Sequence, residues 1–210
     1  LRRSECRWAS CSSSCCGVEP APIRVDDSPT VPATAAAVLW SLSFIEASAW
    51  RASLPDLASR LAPALALNLI VAFAGWRART VTVSGAVVGA AIGLAVCVGT
   101  GWEGWLMLLA AFLAAAIATR AGFARKAAAG IAEDRGGRRG PGNAIANTGI
   151  AAWAALLSAG VPEPQIAKLA MVAALVTSAS DTVASEVGKA WGRTTWLVTS
   201  FRRVRPGTSG

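Results

Sequence analysis

The chain of 210 residues contains no histidine. That removes imidazole acid–base catalysis, Ser-His nucleophiles and histidine metal ligation, so any metal would be a hard cation held by oxygen. Charge is scarce: Asp, Glu, Lys and Arg make up 15% of the residues, where a soluble domain carries about 25%. Paired cysteines of zinc-site spacing are missing too. Cys6, Cys11, Cys15 and Cys16 crowd the start, and Cys97 stands alone in an apolar run, where packing is its simplest role.

What remains is apolar. The hydrophobic fraction is 54% and the mean hydropathy +0.48. Residues 80–102, 104–119 and 140–162 carry no charge at all. A bilayer-spanning helix needs on the order of 20 mostly apolar residues. The fold class is therefore all-α, a polytopic helical membrane bundle of about five to six transmembrane helices. The net charge of +8 sits in the connections between apolar runs. It reads as positive-inside bias and contact with anionic membrane lipids, with no nucleic-acid partner.

Residues 1–32 form a separate zone rich in Arg, Ser, Cys and Pro, expected to be a disordered N-terminal leader, a targeting extension or a segment without function. Residues 33–210 are expected to form the helical membrane domain. Spans are predicted at 33–50 (weakened by Glu46), 61–76, 80–102, 104–119, 141–160 and 165–180, with 51–60 as a polar connection containing Pro55. Asn68, midway along the second span, should face other helices rather than lipid. Gly85, Gly89 and Gly93 recur every fourth residue in the third span, a pattern for close helix approach. If loop 120–139 is cytoplasmic, alternation also places 77–79 and 181–210 in the cytoplasm. After residue 60 these inside segments hold thirteen Lys or Arg, whereas the outside connections carry only Arg51, Arg60 and Lys168.

That topology brings two polar blocks to one membrane face. The first, 133–147, combines glycines with Arg135, Arg138 and Arg139 and leads into a helix carrying Asn143 and Asn147 one turn apart. It is neither a Walker loop nor a dinucleotide fingerprint. Guanidiniums beside free helix N–H groups nevertheless suit a phosphate, as does a flexible basic loop touching lipid head groups. The second, 178–189, places Ser178, Asp181, Thr182, Ser185, Glu186 and Lys189 within roughly 140° of a helix circumference. Carboxylates next to a phosphate-binding loop are the parts of Mg²⁺-assisted phosphoryl transfer. They are equally the parts of an ordinary amphipathic helix end, with Asp181 paired to Arg138 or Lys189 and Glu186 solvated.

The segments Arg138-Arg139-Gly140-Pro141-Gly142-Asn143-Ala144-Ile145-Ala146-Asn147, Ser180-Asp181-Thr182-Val183-Ala184-Ser185-Glu186-Val187-Gly188 and Pro206-Gly207-Thr208 resemble the integral-membrane domain-of-unknown-function 92 family. The resemblance covers residues 61–210. It implies a multi-span membrane protein and, through the family's characterised plant branch, a CTP-dependent kinase of prenyl or phytyl monophosphates. By that resemblance Asp181 and Glu186 are the expected catalytic and metal-binding residues, and Mg²⁺ and CTP the expected cofactors. Arg138, Arg139, Asn143, Asn147 and Ser185 are expected near the nucleotide or the prenyl phosphate. The family pattern continues past the Gly-Thr segment, so a membrane domain incomplete at its C-terminus is expected. The alternative is a membrane transporter or lipid-handling protein without catalytic activity, for which Asn68 and the glycine row speak.

Overall fold

A computed structural model describes residues 27–192, 194–197 and 200–204. The predicted leader up to residue 26, with its four cysteines, and the Pro206-Gly207-Thr208 segment lie outside the described residues. The helices are α1 (Asp27–Leu42), α2 (Ala47–Arg77), α3 (Val83–Thr100), α4 (Trp102–Arg120), α5 (Phe123–Ala128), α6 (Asp134–Gly137), α7 (Pro141–Leu157) and α8 (Pro164–Trp191). A short antiparallel hairpin, β1 (Thr195–Leu197) with β2 (Arg202–Val204), follows them. The fold is an all-α helical bundle, as expected; the hairpin is an addition that the apolar periodicity did not announce.

α2, α3, α4 and α8 are long and apolar enough to cross a membrane. At 1.5 Å per residue, α3 with its 18 residues spans about 27 Å, close to a hydrocarbon core of roughly 30 Å. α7, with 17 residues, packs between α3 and α8. Large apolar side chains such as Ile70, Phe73, Val87, Ile117, Ile150 and Leu169 are exposed. A soluble protein would bury such side chains, and a lipid-facing surface requires them. The interior is built from small residues instead. Ala151, Ala152, Ala154 and Ala155 of α7 meet Val96 of α3 and Met171 and Leu175 of α8. Between helices in lipid, where apolar burial adds little, such residues let backbones approach until van der Waals contact and hydrogen bonds hold them.

Two predicted boundaries are corrected. The first span was expected at 33–50, but the chain turns at 43–46, and the Glu46 N–H donates to the Gly160 carbonyl at 2.8 Å. Ile45 and Trp50 close over Gly160, so this turn docks on the α7–α8 connection. The expected polar connection 51–60 is instead part of α2. Pro55 is accommodated within the helix, the Ser53 hydroxyl donates to the carbonyls of Ala49 and Ala159, and Asp56 pairs with Arg60 one turn later at 3.7 Å. Polar side chains read as a break because they sit beyond the apolar stretch. Locally paired, they let one 31-residue helix project past it.

Alternation of helix direction brings the ends of α2, α4 and α8 and the starts of α3 and α7 to one end of the bundle. Both polar blocks lie there, as the topology predicted.

Candidate functional site

The first block is held by its backbone. The Arg139 N–H donates to the Thr80 carbonyl at 2.9 Å and the Thr82 N–H to the Arg139 carbonyl at 3.0 Å, a parallel bridge alongside Val81. Thr82 also caps α3, its hydroxyl accepting from the Gly85 N–H at 3.0 Å. A side chain at Gly85 would run into the Arg139 carbonyl, so this glycine is required by close approach. Pro141 then opens α7 at its first turn, where a missing N–H costs nothing.

The Arg139 guanidinium reaches the end of α4, donating to the Thr119 hydroxyl at 3.1 Å and to the Ala115 carbonyl at 3.3 Å. Its Nε is buried without a hydrogen-bond partner among the described residues. Burial lowers its pKa from the ordinary value, while Glu133 and Glu186 pull it back up; an arginine stays cationic.

Beside Arg139 lies a cavity of about 140 Å³ between α2, α3, α4, α7 and α8. Its walls are mostly aliphatic and aromatic: Val71, Ile92, Leu108, Leu109, Phe112 and Leu175. Asn143, Asn147, Thr148, Ser178 and Thr182 line it as polar residues, and among the described residues Arg139 is the one charged residue that does. Asn143 is oriented by donating to the Glu133 carboxylate at 2.9 Å. The far end is closed by Asn68, which is buried, accepts from the Trp105 indole N–H at 3.1 Å and donates to the Ala64 carbonyl at 2.8 Å. Asn68 thus faces other helices, with both polar functions satisfied.

The polar face of α8 does not act as a unit. Ser178 and Thr182, one turn apart, face the cavity. Glu186, a further turn on, is buried elsewhere: Lys126 of α5 donates to its Oε2 at 2.6 Å and Lys189 to its Oε1 at 3.1 Å. Asp181 and Ser185 are exposed and do not line the cavity. Of the expected site residues, Arg139, Asn143 and Asn147 are therefore brought together around one cavity. Arg138 is half-buried nearby in sequence but does not line it.

Lys126 is the residue that sequence reasoning missed. It is 1% exposed, and its ammonium also donates to the Ala118 and Thr119 carbonyls at 3.2 and 2.7 Å. These belong to the last turn of α4, whose carbonyls lack helical partners and favour a cation. No local signal marked it, because its carboxylate partner lies 60 residues away.

The fit to a divalent cation is uneven. Mg²⁺ usually takes one or two carboxylates plus substrate phosphates. Both Glu186 oxygens are engaged by lysines, and among the described residues no group of three acidic or thiol side chains could hold a metal. Glu186 is thus held by lysines, while Asp181, on the same helix, is exposed. Asp181 has no ion-pair partner among the described residues and remains open to a cation brought in by phosphate.

Exposed apolar helices around a small-residue core define a polytopic α-helical integral membrane protein. Residues 66–210 match the family described as "Integral membrane protein DUF92", and the chain belongs to that family. It is 46% identical over 121 residues to the uncharacterized membrane protein sll0875 of Synechocystis sp., covering 57% of this chain and 47% of that protein. It is 40% identical over 114 residues to Protein VTE6, chloroplastic, of Arabidopsis thaliana, covering 52% of this chain and 34% of that protein. In each case the match spans less than half of the relative. No solved structure matches.

Proposed function

We propose that this chain forms the acceptor-binding part of a membrane kinase that transfers the terminal phosphoryl group of CTP to a prenyl or phytyl monophosphate, giving the prenyl diphosphate and CDP. The observation that carries the reading is the cavity: largely apolar walls into which, among the described residues, one cation, Arg139, is set, with Asn143 and Asn147 also lining it. An anion with a branched hydrocarbon tail matches both ends. The kinase chemistry comes from the resemblance of the two polar blocks to the family, and 40% identity to the plant relative supports it. In this reading Arg139, Asn143 and Asn147 orient the acceptor phosphate. Asp181 acts on the nucleotide side together with Arg138 and Ser185, on the membrane face assigned to the cytoplasm. Mg²⁺ bound with the nucleotide would neutralise its phosphate oxygens. Glu186 holds α8 in place through Lys126.

The test is transfer from labelled CTP to a panel of prenyl monophosphates by the complete gene product in nanodiscs, with and without Mg²⁺. Diphosphate formation is expected, and Asp181→Asn should lower turnover at least about 100-fold with prenyl-phosphate affinity retained. Folded protein that transfers to no member of the panel refutes the reading.

A second reading, lipid handling without chemistry, is favoured by one observation: Glu186 is neutralised by two lysines and, among the described residues, no carboxylate lines the cavity. It predicts prenyl-phosphate binding that is indifferent to CTP.

A further inference from the structure

Gly85, Gly89 and Gly93 share one stripe of α3, yet they meet different surroundings. A side chain at Gly85 would strike the Arg139 carbonyl, and one at Gly93 would strike the Asn68 amide. Both glycines are required by packing. Gly89, between them, would meet nothing within 4 Å. Successive members of such a row are rotated by only about 40°, so a residue flanked by two inward-facing neighbours faces inward as well. What it faces is the cavity, which it lines. Glycine in a helix interior is unfavourable relative to alanine, and no contact at this position requires it. Its effect here is to leave volume.

The position is equally telling. Gly85 lies at the Arg139 end of the cavity and Gly93 at the Asn68–Trp105 end. With 1.5 Å of rise per residue, Gly89 stands roughly 6 Å from each. A phosphate at Arg139 would leave space for about one prenyl unit before the chain passes Gly89. Arg139, the one charged residue among the described ones that line the cavity, marks this end as the place for an anionic head.

We infer that Gly89 sets how much hydrocarbon the cavity admits behind the anionic head, making it the residue that selects prenyl phosphates by chain length. This rests on the acceptor-binding role proposed for the cavity. A branched side chain at 89 closes the inner half and leaves the Arg139 end untouched, so the affinity advantage of longer prenyl chains is lost while short ones still bind.

The experiment is calorimetric titration of the complete protein in nanodiscs with dimethylallyl, geranyl and geranylgeranyl monophosphate. The proteins compared are native, Gly89→Ala, Gly89→Leu and Arg139→Gln. Gly89→Leu should weaken the two longer ligands at least about tenfold and dimethylallyl monophosphate less than about threefold. Gly89→Ala should show the same ordering in smaller degree, with a melting temperature at or above native. Should Gly89→Leu fail to fold, the ordering in Gly89→Ala decides. If neither variant changes the chain-length profile while Arg139→Gln abolishes binding, the gauge is refuted and the acceptor site stands. If native protein binds none of the three, both fall.

Discussion

Replacing Lys126 by methionine isolates the contact that ties α5, α4 and α8 together. The side chain keeps its length and loses its charge. Glu186, with its side chain 6% exposed, then keeps only Lys189, whose side chain is 30% exposed, and the Ala118 and Thr119 carbonyls lose their donor. Removing one partner of a buried pair costs about 3–5 kcal/mol because the other charge stays behind. Lys189 offsets part of that, which sets the expectation near 3 kcal/mol. For a chain of this size that corresponds to roughly 6–12 °C in melting temperature. The assay is thermal unfolding in detergent, followed by size-exclusion fluorescence, for Lys126→Met, Glu186→Leu and the double variant. Substituting both partners removes the stranded charge, so the double variant should recover most of the loss. A Lys126→Met protein within about 1 kcal/mol of native, or a double variant no better than the worse single one, would refute the assignment of this pair as the tie between the helices.

Two further outcomes test the packing around the cavity. Gly99→Ala should destabilise by about 1–3 kcal/mol, because its Cβ would meet the Ala155 backbone carbonyl, whereas Gly142→Ala meets nothing and should be neutral on the same unfolding assay. Trp105→Phe leaves the buried Asn68 carbonyl oxygen unpaired and should cost about 1 kcal/mol, with an Asn68→Leu/Trp105→Phe pair recovering part of it.

Much of the architecture was legible along the chain. Charge-free runs marked the apolar helices, and the alternation of basic connections put the 133–147 and 178–189 blocks at one end of the bundle, where they lie. The glycine row was legible as close approach, and at Gly85 and Gly93 it is that. The same row concealed Gly89, since spacing alone cannot tell a glycine that touches a neighbour from one that faces a void. The end of α1 was misread because the apolar run continues through the turn at 43–46, and the start of α2 because Pro55 and Asp56 look like breakers until local pairing is counted.

The sequence by itself determined a helical membrane protein of this family and which segments carry its polar chemistry, because apolar length and a specific motif are properties of the chain. The tertiary structure alone decided how that chemistry is divided. Two turns of α8 separate Ser178 from Glu186, and these residues meet different helices. Ser178 and Thr182 line the Arg139 cavity, Glu186 is paired with Lys126 from 60 residues away, and Asp181 is left exposed. Helical periodicity specifies which residues share a side; only the neighbours packed at each height specify what that side touches.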